Sequence, residues 1–81
     1  MSAELDADIE ARAEALAREL AGLTERRDAA AKRVRELMAA EDHRAGVSHA
    51  QAIFETQQEK LALETEMEIA RRQRNRLLMP Q

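Results

Sequence analysis

The chain has no Cys, Trp or Tyr, a single Phe (Phe54), a single Pro (Pro80), and Gly at two positions only. Without Cys there are no disulfide staples and no thiolate metal sites, so stability has to come from packing. Long hydrophobic runs are also missing. The longest is four residues, Leu37–Ala40, and others such as Ala29–Ala31 and Leu77–Met79 are three, against the ~20 needed to span a bilayer. The first ten residues carry Glu4, Asp6, Asp8 and Glu10 and no base, the reverse of a secretory leader, so a cytoplasmic location and no membrane partner are expected. The shortage of Gly and Pro leaves a sequence almost free of helix breakers.

What is present is charge and alanine. In 81 residues 36% are charged, with 16 acids against 13 Lys and Arg for a net charge of −3, and 17 of the hydrophobic residues are Ala, leaving 19 larger ones. A chain of this size makes one small domain, residues 1–81, with no room for a large enzyme and little material for a core. Its net acidity argues against a surface built to coat nucleic acid.

The apolar residues are nevertheless ordered. Ile9, Leu16, Leu23, Ala30 and Leu37 lie seven apart, and Ala13, Leu20, Arg27 and Val34 form the alternate row, which is the pattern of a helix with one apolar seam. The phase runs through Gly22, so residues 3 to about 44 are expected to be one helix of ~60 Å. Ser2 is its expected N-cap. His43 and Arg44 are placed in its last turn and Gly46 at its left-handed stop. Ser48 to Gln51 reads as a capping box that opens a second helix, residues 49 to about 78, closed by Pro80. Its apolar residues, among them Ile53, Phe54, Leu61, Leu63, Met67, Ile69, Leu77 and Leu78, cover a wider arc than one facing helix needs.

So short a connection forces the helices antiparallel, giving an all-α two-helix hairpin with coiled-coil packing. Folding about Gly46 sets residue i near 93 − i, so 26–36, of net charge +3, face 55–68, of net charge −4. Leu20, Leu23, Leu63 and Met67 are the expected core, with Arg27 on the seam paired to Glu64, Glu66 or Glu68. The rule leaves residues 1–12 as an acidic overhang. The wide arc of the second helix then predicts a further interface, at Phe54, Leu61, Ile69, Leu77 and Leu78. A homodimer completing a four-helix bundle, or a heteromeric protein partner, is expected to cover it.

No nucleophile with a base and no Gly-rich phosphate loop appears, so no catalytic residue, cofactor or small-molecule substrate is expected. Glu41, Asp42, His43 and His49 surround the turn, but their spacing fits capping and a solvated turn rather than a metal site. Arg71, Arg72, Arg74 and Arg76 form the one basic run. They suit a helix C-terminus and an acidic neighbour, with phosphate or nucleic-acid contact as the alternative.

Two resemblances accompany this reading. Residues 20–35, Leu20-x-x-Leu23-x-Glu25-Arg26-Arg27 and the Ala- and base-rich turn that follows, resemble the first long helix of the all-helical chorismate mutases. This implies an intertwined dimer with Arg and Lys on a dicarboxylate. Arg26 alone carries over, because the family's other Arg and its Lys fall on Ile9 and Leu37. Residues 57–69, Gln57-Gln-Glu-Lys-Leu-Ala-Leu-Glu-Thr-Glu-Met-Glu-Ile69, are similar to the second helix of the small acidic co-chaperones of type III secretion needle subunits. That similarity implies an adaptor hairpin docking its apolar face on a helical-repeat partner.

Overall fold

The computed structural model describes residues 3–79 and consists of two helices, α1 (Ala3–Ala40) and α2 (Ala50–Leu78), packed antiparallel along their length. The hairpin is a rod of 68 × 16 × 13 Å. α1 passes Gly22 unbroken, as the heptad phase requires. The seam of α1 is Ile9, Ala13, Leu16, Leu20, Leu23, Arg27, Ala30, Val34 and Leu37, all buried or half-buried. α2 answers with Ile53, Thr56, Lys60, Leu63, Met67, Ala70, Arg74 and Leu77, also all buried or half-buried. Both seams alternate steps of three and four, the signature of helices that hold one face to each other. The packed centre is Leu23, Leu63, Met67 and Ala70 with Leu20 against them, which contains the whole predicted core.

The connection corrects several expectations. α1 stops at Ala40, so His43 and Arg44 lie in the turn and not in a last helical turn. Asp42 makes the difference. Its Oδ1 accepts from the N–H of Arg44 at 3.1 Å and of Ala45 at 3.2 Å, a local alternative that draws the backbone out of the helix. Asp42 and Val47 then exchange two backbone hydrogen bonds of 3.0 and 2.8 Å, closing a miniature antiparallel bridge. Gly46 is left-handed as predicted, with φ +73°, but it shapes this turn rather than ending the helix. The turn is thus centred between Asp42 and Val47, N-terminal to Gly46, and Arg27 meets Glu64, two residues short of the residue 66 that folding about Gly46 gives.

The predicted capping box forms by half. Ser48 Oγ accepts from the N–H of Ala50 at 3.3 Å, but the N-cap position is His49, and Gln51 Nε2 donates forward to Glu55 Oε1 at 3.0 Å. The N–H of His49, the N-cap position, is taken by Glu41 Oε1 at 3.2 Å, reaching across from just past the end of α1. At the far end Met79 is extended, φ −68° and ψ 134°, the conformation a following Pro imposes. Ser2 and Pro80 themselves lie outside the described residues. Ala13, the first residue past the expected overhang, is buried, and within the overhang Ile9 is half-buried while Leu5 is exposed.

The two glycines give opposite predictions. A Cβ on either meets no atom within 4 Å, but Gly22 is mid-helix while Gly46 has positive φ. Gly22→Ala is expected to stabilise the hairpin by ~1 kcal/mol, and Gly46→Ala to destabilise it by about 1–2 kcal/mol. Urea melts followed by circular dichroism check both, and equal shifts of one sign would contradict the turn geometry.

Candidate partner interface

α2 is turned partly inside out. Three of its seam positions hold polar side chains, Thr56, Lys60 and Arg74, while Phe54, Leu61 and Ile69 stand outside at 61%, 57% and 51% exposure. The reason is arithmetic. Counting by threes and fours from Leu63 and Met67 reaches Thr56, Lys60, Ala70 and Arg74 as well as Ile53 and Leu77, and Phe54, Leu61, Ile69 and Leu78 fall elsewhere on the helix. Phe54, Leu61 and Ile69 are spaced by seven and eight, so at 100° per residue they share one arc of about 80°. Leu61 and Ile69 line a shallow groove on that face with Glu64, Thr65, Glu68 and Arg72. Ile69 also edges the groove between the helices, beside Glu19, Gly22, Arg26, Glu66 and Gln73.

The five residues predicted as an interface are therefore not one patch. Phe54, Leu61 and Ile69 form a stripe, Leu77 belongs to the seam and is half-buried, and Leu78 is exposed on another side of the helix. Thr56 and Lys60 are the seam positions that sequence reasoning missed. Their signal was the heptad spacing from Leu63, hidden because neither is apolar.

Each polar intruder is handled differently. Thr56 is buried and donates its hydroxyl to the Ala52 carbonyl at 2.7 Å, so it leaves no unpaired group. Lys60 and Arg27, from opposite seams, converge on Glu64, with Lys60 Nζ 3.6 Å from Oε1 and Arg27 Nη1 3.7 Å from Oε2. Among the described residues Arg27–Glu64 is the one ion pair that crosses between the helices. Arg27 also donates from Nε to Asp28 Oδ1 at 2.8 Å. Arg74 is half-buried over Ala17, Leu20, Ala21 and Thr24, and its Nε is buried without a hydrogen-bond partner.

The basic run is consequently split. Arg74 faces the seam, and Arg71 and Arg72 both donate to Glu68, each at 3.0 Å. Arg76 stays exposed beside Arg12, Ala15, Leu16, Gln73 and Leu77. Around the turn, Glu41 and Asp42 direct carboxylate oxygens to backbone N–H groups, and His43 Nε2 sits 3.8 Å from Glu41 Oε2. Among the described residues no group of three or more His, Asp or Glu gathers as a metal site, and no helix is long and apolar enough to cross a membrane. The chain matches no family model, no curated protein and no solved structure.

Proposed function

We propose that the chain is a non-enzymatic protein–protein interaction module, a helical hairpin that covers the outer face of α2 by associating with a second hairpin to make a four-helix bundle in the cytoplasm. The observation that carries this reading is the exposure of Phe54, Leu61 and Ile69 in one stripe on a helix whose own seam holds Lys60 and Arg74. Apolar residues placed on a solvated face while charges occupy the seam make sense if that face is a second seam.

The thin core supports the same reading. Three of its seven buried apolar residues are Ala13, Ala30 and Ala70, and among the described residues none is below 2% exposure. A large apolar side chain contributes ~1.5–3 kcal/mol on burial, whereas fixing each residue's backbone costs about 1–2 kcal/mol. A second layer of contacts shifts that balance.

The test is mass. The protein is expected to sediment as an oligomer at micromolar concentration, and Leu61→Glu to reduce it to a single chain that keeps most of its helical circular dichroism. A helical single chain at high micromolar concentration, or an oligomer that survives Leu61→Glu, would show the reading to be wrong.

A further inference from the structure

We infer that the occupant of the outer face of α2 is a second copy of this chain running antiparallel to the first, with the two α2 helices related by a twofold axis at Thr65. This rests on the self-association reading and adds orientation and register to it.

Thr65 lies midway between Leu61 and Ile69, on the same arc of the helix as Phe54 and Arg72. Its hydroxyl donates to the Leu61 carbonyl at 3.1 Å, so it brings no unpaired donor to a covered face. A twofold axis here sets Leu61 against the partner's Ile69 and Ile69 against the partner's Leu61. A parallel pair would set each residue against its own copy. The apolar contacts are of similar size in both arrangements and do not choose between them.

Charge does. Leaving out the seam residues Lys60 and Arg74, residues 50–64 on one side of Thr65 hold Glu55, Glu59 and Glu64, a net of −3; on the other, residues 66–78 hold Arg71, Arg72 and Arg76 against Glu66 and Glu68, a net of +1. An antiparallel pair lays each acidic half on a basic half, whereas a parallel pair lays like on like. Local pairing narrows this further. Glu64 is held between Lys60 and Arg27, and Glu68 by Arg71 and Arg72. Glu55, whose neighbour is the neutral Gln51 amide, and Arg76 are then the exposed charges at the two ends of the stripe. They lie ten residues before and eleven after Thr65, so the axis brings Glu55 beside the partner's Arg76, and symmetry makes that pair twice. The same step lays the ring of Phe54 under that guanidinium, a favourable cation–π geometry.

The absence of Cys makes the test clean, since any disulfide in a single-Cys variant must join two chains. Under mild oxidation Thr65→Cys is expected to form a covalent dimer. Leu61→Cys alone is expected not to, its copies lying ~12 Å apart along the axis, but it should do so when mixed with Ile69→Cys. Glu55→Arg and Arg76→Glu should each weaken the dimer roughly tenfold, two symmetric pairs being affected, and the double swap should restore it. Efficient self-cross-linking of Leu61→Cys, or a double swap no tighter than the single variants, overturns the antiparallel register. If the wild-type mass is then still a dimer, self-association stands without it. A wild-type mass of one chain overturns both.

Discussion

Leu63→Ala is expected to lower the stability of the hairpin by about 2–5 kcal/mol, more than any other single truncation in this chain. Leu63 is the most buried side chain among the described residues, at 2% exposure, and it joins Leu23 and Met67 at the packed centre. Its removal takes away both its own transfer free energy and contacts that a two-layer rod cannot replace, because no third element can collapse into the gap. Small domains have about 5–15 kcal/mol in total, and a hairpin with so few large buried residues sits at the lower end. With a urea dependence of ~1 kcal/mol/M, the midpoint should fall by about 2 M or more. Leu63→Met, which keeps volume, should cost under about 1.5 kcal/mol. A loss under ~1 kcal/mol for Leu63→Ala would mean that the centre of packing lies elsewhere on the seam.

The contrast between Leu63 and Leu61, alike in type and two positions apart, marks what periodicity reveals and what it hides. The seam of α1 was legible because Ile9, Leu16, Leu23 and Leu37 repeat in phase over many turns, and Gly22 costs too little to break so long a register. Leu63 and Met67 were legible for the same reason. Thr56 and Lys60 were not, because spacing identifies a face through its apolar members and is silent where a polar side chain occupies the position. The stop of α1 was misplaced for a related reason. Helix-favouring cations at His43 and Arg44 suggested continuation, whereas one carboxylate, Asp42, offers the next two amides a partner outside the helix. Such local competition is decided by geometry a few tenths of an ångström wide, which no spacing rule records. The stripe on α2 was visible as excess apolar arc. Its division into Phe54, Leu61 and Ile69 on one face, Leu77 in the seam and Leu78 apart followed only once the register was set.

Arg74→Leu is expected to stabilise the hairpin by about 1–2 kcal/mol, raising the midpoint of thermal unfolding by ~4–8 °C per kcal/mol. Arg74 occupies a seam position between Ala70 and Leu77, and its Nε is buried with no acceptor. An unsatisfied buried donor costs ~1–3 kcal/mol, and a Leu there would add apolar burial against Leu20 and the small residues Ala17 and Ala21. Opposing this is the favourable placement of a cation near the C-terminus of α2, worth ~0.3–1 kcal/mol at an exposed site. The balance favours Leu. Arg18→Leu serves as the control, because Arg18 is exposed on α1 and paired only with Glu14 at 4.0 Å, so it should bring no gain. A fall in the midpoint for Arg74→Leu would mean that the guanidinium has an acceptor in solution. A rise has a further consequence, since a hairpin improved by removing a seam charge is not optimised as an isolated rod. With Lys60 and Arg74 inside and Phe54, Leu61 and Ile69 outside, α2 has nearly as much to gain from its outer face as from its inner one, and that balance suits a subunit that reaches full stability only when both faces are covered.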